Sequence, residues 1–210
     1  MNEFIVVGYF TRNTFYEDYA QMLVKSLKQY SIPYYIEGTE NLGSWLKNTN
    51  YKPTFIKEML IKFPKHNIVY VDCDAKFLRY PKLFEEIEKD IAVHLFKGIE
   101  ILSGTIFLKN KISSYELVKR WEELCRKKPH QWDQKSLAEV LGKNFYKLPV
   151  AYCQILNKKK RIKDRQLASS IIVHYQASRK VRNNRGVMLK SALRESLPQV
   201  LSKIVCASKH

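Results

Sequence analysis

The tightest constraint on the fold is a rhythm in which short, uniformly apolar runs alternate with longer stretches whose apolar residues recur every three or four positions. Residues 4–10 and the run Ile68-Val69-Tyr70-Val71 are of the first kind and read as buried strands. After the first, Thr14-Phe15-Tyr16-Glu17 has capping-box spacing, and Phe15, Tyr19, Met22, Leu23, Leu27 and Tyr30 share one helical face. Residues 32–36 predict a second strand and 38–51 a polar loop. Pro53 is placed to start a helix carrying Phe55, Ile56, Met59, Leu60 and Phe63. Strand and helix in alternation predict an α/β fold, with a mainly parallel sheet between helices.

The second half continues the pattern. Residues 81–89 read as a helix, 91–96 and 106–108 as strands, with Ser103-Gly104 as a turn before the latter. Ser113-Ser114-Tyr115-Glu116 has the spacing of another capping box, opening a helix through Trp121 and Leu124. A helix over 132–141 is ended by Gly142, and 171–174 read as a last strand. Residues 1–182 are expected to form one domain. Residues 183–210 follow as a basic, weakly amphipathic segment, broken by Pro198, with Val187, Leu189, Leu193, Leu197 and Leu201 as its apolar members.

Composition narrows the function classes. A chain of 210 residues, 45% hydrophobic and 27% charged, suits a single cored domain. Its four cysteines are scattered with no C-x-x-C pair, which argues against a disulfide framework or a thiolate zinc site. No apolar stretch approaches the roughly 18 residues that span a bilayer, and the amino terminus runs straight into a strand. A cytoplasmic protein is the expectation. The net charge of +17 invites an anionic partner. It is concentrated late: between Lys158 and Lys190 there are eleven Lys or Arg against one acid, Asp164, a run that also fits a solvated surface loop.

The chemistry begins where the strand 68–71 ends, in Asp72-Cys73-Asp74. Alternate side chains of an extended segment share a face, so Asp72 and Asp74 project together from the strand's carboxyl end. Two carboxylates at the edge of an α/β sheet suit a hard divalent cation, Mg²⁺ or Mn²⁺, which can hold a diphosphate; a plain turn is the competing reading. His174 ends another apolar strand and is placed to bring an imidazole to the same cation, with Arg179, Lys180 and Arg182 just beyond it as permanent positive charge. Asp133-Gln134 opens a helix, where Asp serves equally as an N-cap or as an acid facing an acceptor hydroxyl. Ser103-Gly104-Thr105 is either a tight turn or a place where a ligand approaches the backbone.

The order V-Y-V-D-C-D-A-K-F, L-S-G-T-I-F-L-K-N, W-D-Q-K-S-L, K-L-P and I-I-V-H-Y-Q-A-S-R-K resembles GT-A fold glycosyltransferases, most nearly the glycogenin-like and bacterial galactosyltransferase-like family (family 8-like), over about residues 4–182. The resemblance implies a GT-A-like, Rossmann-like fold and transfer of a sugar, a UDP-hexose being the family expectation, to an acceptor hydroxyl on a glycan or lipid. It implies that Asp74 and His174 bind Mn²⁺ or Mg²⁺, that Asp72 contacts the metal or the ribose, and that Lys180 or Arg179 holds the diphosphate. Tyr9, Phe10 and Thr11 would line the base and ribose pocket, Ser103 and Gly104 would lie near the donor sugar, and Asp133 and Gln134 would lie beside the transferred sugar and acceptor. Ala177 stands where the family often has Gly, and Val181 where it often has Pro. The route stays open: inversion needs a base, for which Asp133 is the candidate, whereas retention leaves Gln134 a positioning role.

The excess charge supports a rival of another class, a nucleic-acid-binding protein or metal-dependent nuclease, but no nucleic-acid module is present in the basic stretch, so no specific nucleic-acid partner is expected. The basic tail fits better as a surface for an anionic acceptor or for peripheral contact with the anionic inner membrane leaflet; a helix packed on the domain is the alternative.

Overall fold

The computed structural model describes residues 3–156, 164–178 and 203–206. In chain order the elements are β1 (Phe4–Thr11), α1 (Tyr16–Gln29), β2 (Tyr34–Thr39), α2 (Trp45–Asn50), α3 (Lys52–Lys62), β3 (Asn67–Val71), β4 (Ala75–Phe77), α4 (Leu83–Glu86) and β5 (Ile91–Phe96). Then come β6 (Glu100–Leu108), α5 (Ile112–Lys127), α6 (Asp133–Val140), β7 (Tyr146–Lys147), a 3₁₀ turn at Val150–Tyr152, β8 (Gln154–Ile155), α7 (Asp164–Ser169), β9 (Ile172–His174) and β10 (Lys203–Cys206).

Among the described residues the central sheet has the order β10-β2-β1-β3-β6-β5-β7, and β4-β9-β8 form a small second sheet. Strands β2, β1, β3, β5 and β7 point the same way, while β6 and β10 run against them. The α/β architecture with a mainly parallel sheet is therefore as expected. The strand β10 comes from the basic C-terminal segment and pairs along β2. The basic run of residues 157–163 and the segment from Arg179 to residue 202, with Arg179, Lys180 and Arg182 in it, lie outside the described residues.

The uniform hydrophobicity of β1 has a direct cause. Phe4 and Val6 face a core shared with Leu23 and Leu27 of α1, while Ile5, Val7 and Tyr9 face a second core with Phe55, Met59 and Leu60 of α3 and Leu117 and Trp121 of α5. A strand buried on both faces needs no polar alternation.

Local chemistry departs from the sequence reading at several ends. Helix α1 starts at Tyr16 with Phe15 as N-cap, so the reciprocal capping box is not formed; Thr14 Oγ1 accepts instead from Tyr16 N–H (3.2 Å) and Glu17 from Asn13 N–H (2.7 Å). At α5 the second capping box is not formed, because the helix begins earlier and Ser113 donates instead to Asp90 (2.7 Å). The expected polar loop 38–51 contains α2, capped by Ser44, whose hydroxyl accepts from Lys47 N–H at 3.1 Å. The helix expected over 81–89 shrinks to α4. Ser103 and Gly104 are not a turn; they lie within the nine-residue strand β6, where its pairing with β5 shifts register.

Candidate active site

Strand β3 stops at Val71 because Asp72 begins a tight reversal: its carbonyl accepts from Ala75 N–H (2.9 Å) while its own N–H still donates to Gly104 in β6 (2.9 Å). Cys73 is buried in the apolar core on the α1 side of the sheet, and burial pushes its thiol pKa well up. Asp72 and Asp74, on either side of it, converge with His174. One potential ligand atom from each of the three lies within 4.8 Å of the others.

Each carboxylate has one oxygen held and one turned to the cluster. Asp72 Oδ1 accepts from Tyr70 OH (3.1 Å) and pairs with Lys52 Nζ (3.0 Å), leaving Oδ2 beside Gly104. Asp74 Oδ2 accepts from Ala177 N–H (2.6 Å), leaving Oδ1 3.7 Å from His174 Nδ1. His174 arrives through the pairing of β9 with β4, which sets it opposite Ala75. Its other nitrogen, Nε2, lies 2.8 Å from Thr105 Oγ1 of β6, a contact that orients the ring and leaves Nδ1 facing the carboxylates. Burial works against a charged imidazole, but neighbouring Cys153 and Asp74 outweigh it and raise the His174 pKa to about 10.

The donor set of two carboxylates and an imidazole suits Mn²⁺ or Mg²⁺, and the space for an ion is kept by a glycine. A Cβ on Gly104 would stand 3.1 Å from Asp72 Oδ2 and 3.3 Å from His174 Cε1, intruding on the side where the ligand atoms meet. The residues fit the cation.

Next to this cluster lies a second one, centred on Lys52 at the start of α3. Its ammonium, with a side chain only 5% exposed, meets Asp133 Oδ2 (2.9 Å), Asp72 Oδ1 (3.0 Å), Ser103 Oγ (3.1 Å) and the Ser103 carbonyl (3.2 Å). Ser103 Oγ donates to Asp133 Oδ2 (2.8 Å). Burial disfavours the ammonium, but Asp133 and Asp72 more than compensate and push its pKa above the ordinary lysine value. Asp133 does not cap its helix. Trp132 is the N-cap residue, Asp133 occupies the first helical position, and its carbonyl accepts from the buried indole N–H of Trp121 (2.8 Å).

The other expected residues are spread more widely. Gln134 donates to Glu100 on the exposed side of α6 (2.8 Å). Tyr9 is buried among Tyr51, Phe55 and Tyr70, its hydroxyl donating to the Asn48 carbonyl (2.7 Å). Phe10 is half-buried against the opposite core, and Thr11 is buried with its carbonyl accepting from Thr14 Oγ1 (2.6 Å). Lys52 belongs to the constellation but carries no sequence signal of its own, being one among 37 Lys and Arg; Thr105 falls in the Ser103-Gly104-Thr105 segment, whose sequence gives no hint of a contact with His174.

Residues 10–185 match the nucleotide-diphospho-sugar transferase family. The chain belongs to that family. Its fold is of GT-A glycosyltransferase type, shared with a glycosyltransferase involved in glycosylation of the major capsid of PBCV-1 (TM-score 0.65, 17% identity, covering 88% of this chain and 98% of that one). It is also shared with GlyE of Streptococcus pneumoniae TIGR4 (TM-score 0.60, 15% identity, covering 82% of this chain and 55% of that one). The galactosyltransferase LgtC, solved with donor and acceptor sugar analogs, is similar at a TM-score of 0.52 and 10% identity, over 82% of this chain and 87% of that one. By sequence, no curated protein matches significantly. Among the described residues no helix is long and apolar enough to cross a membrane.

Proposed function

We propose that this glycosyltransferase moves a hexose from a UDP-sugar to an acceptor hydroxyl on a glycan or lipid, with Mn²⁺ or Mg²⁺ held by Asp72, Asp74 and His174, in the manner of the glycogenin-like family. The observation that carries the reading is the convergence of those three side chains beside Gly104. A bound divalent cation supplies charge neutralisation for the diphosphate as the sugar–phosphate bond breaks.

The chain's own residues do the rest. Ala177 N–H and Thr105 hold Asp74 and His174 in the orientation that presents their ligand atoms. Arg179 and Lys180, two and three residues past Ala177, supply fixed positive charge to the leaving diphosphate. Asp133 Oδ2 is already engaged by the Lys52 ammonium and the Ser103 hydroxyl, and the side chain is buried. This favours a positioning role for Asp133 at the transferred sugar over a base role, and with it a retaining outcome. Gln134, on the solvent side of the same helix turn, is available to the acceptor.

Release of nucleotide from UDP-, GDP-, ADP- and CDP-sugars with Mn²⁺ tests the reading without a known acceptor. Release from UDP-hexose that stops with EDTA and in Asp74→Ala is expected; undiminished release by Asp74→Ala would refute the metal assignment.

A further inference from the structure

Three tryptophans divide cleanly between structure and surface. Trp121 is 1% exposed and its N–H is spent on Asp133. Trp45 and Trp132 instead meet each other at the protein surface, edge to face, with ring centroids 5.8 Å apart and interplanar angle 89°; Trp132 is 38% exposed and Trp45 half-buried. Indole rings at a protein surface present flat apolar faces with a polar edge, the shape on which a ring-shaped ligand stacks.

Both rings are mounted on the two segments that build the floor of the active site. Trp45 opens α2, which ends at Asn50, two residues before Lys52. Trp132 immediately precedes Asp133, the partner of Lys52. The segments are also tied to each other above that ion pair, since Asn50 Nδ2 donates to the Gln131 carbonyl (3.2 Å). Helix α2 is anchored below by Tyr9 OH, which donates to the Asn48 carbonyl (2.7 Å), and the Trp132 carbonyl is fixed by Lys135 and Ser136 N–H (3.0 and 3.1 Å). The backbone segments that carry the aromatic pair are thus fixed by hydrogen bonds, with Trp132 one residue along the chain from a buried carboxylate of the site. Rigid indoles offer a flat apolar surface at low entropic cost, the complement of the C–H face of a pyranose, whose hydroxyls stay available to polar groups such as the exposed Gln134–Glu100 pair.

We propose that Trp45 and Trp132 form a stacking subsite for a pyranose ring of the acceptor, so that the acceptor is a glycan or carries one. This rests on the reading of the chain as a sugar transferase and goes further by naming what the acceptor must present.

The test is binding of the full-length chain, with Mn²⁺ and UDP, to an array of pyranose oligosaccharides, for wild type, Trp45→Ala, Trp132→Ala and Trp132→Phe. Calorimetric UDP–Mn²⁺ binding and thermal midpoints monitor folding. The expected result is wild-type binding to at least one glycan, weakened about tenfold or more by either alanine and restored to within about threefold by the phenylalanine, which keeps an aromatic face. Equal binding by folded alanine variants, or no glycan bound by the wild type, overturns the subsite. Nucleotide release is read separately. Tryptophan-dependent glycan binding by a chain that releases no nucleotide would retire the transferase reading and leave the subsite standing; release without glycan binding does the opposite.

Discussion

The two halves of the active site are built on opposite plans. Around Lys52 the charges answer each other: one ammonium, two carboxylates and a serine from α3, β6, α6 and the end of β3 close into a network in which Lys52, Ser103 and Asp133 are buried and Asp72 reaches solvent. Around Asp74 and His174, beside the small sheet, Ala177 N–H holds the one and Thr105 the other from behind, while a ligand atom of each is left facing its neighbours. The first arrangement serves the fold and positions Asp72 and Asp133; the second is an incomplete coordination sphere. Asp72 belongs to both, one oxygen to each, and couples them.

The largest difference between the halves should appear in stability. Lys52→Met leaves Asp133 buried without its cation, and breaking a buried pair by removing one partner costs about 3–5 kcal/mol. Urea unfolding of the metal-free chain should show that loss, whereas Asp74→Ala should cost less, because it removes one backbone hydrogen bond and a longer contact with His174. A Lys52→Met chain as stable as wild type would erase the distinction.

Metal affinity should reverse the ranking. Thr105→Val removes the group that orients His174, and loss of such an outer contact costs about 10–100-fold in metal affinity. Calorimetry with Mn²⁺ checks this; an unchanged affinity would mean that the ring is oriented by packing alone.

The most selective probe is pH. The folded His174 pKa is raised to about 10, above an unfolded value of about 6.5, so its contribution to the stability of the metal-free chain is complete below about pH 6.5 and is lost as pH rises towards 10. Lys52 is also raised, from a higher starting point, so its contribution persists across that window. Wild-type stability should therefore decline between about pH 6.5 and 10, and His174→Gln should flatten that decline. Mn²⁺ must displace the same proton, so its affinity should climb with pH as the stability of the metal-free chain falls.

How much of this was readable in the sequence follows the same division. Asp72, Asp74 and His174 sit at the ends of apolar strands, where local pattern marks both the element and its boundary. Helices α1 and α3 were legible from three- and four-residue periodicity for the same reason. Lys52 was not, because its meaning arises only when β6 and α6, some 50 and 80 residues further on, fold against the start of α3. Asp133 carried a plausible local role as a helix cap, which the long-range pair with Lys52 displaces. Ser103-Gly104 has the composition of a turn, yet it lies within strand β6 at a shift in its pairing with β5, and the missing Cβ serves the neighbouring ligands rather than the backbone.

The central claim is that Asp72, Asp74 and His174 together hold one divalent cation. Titration of Mn²⁺ in the presence of UDP, followed by the loss of the free-ion electron paramagnetic resonance signal, tests it directly in wild type, Asp74→Ala and His174→Ala. One Mn²⁺ per wild-type chain, with binding lost in both variants while their circular dichroism stays native, is the predicted result. Wild-type Mn²⁺ binding by either folded variant would contradict it.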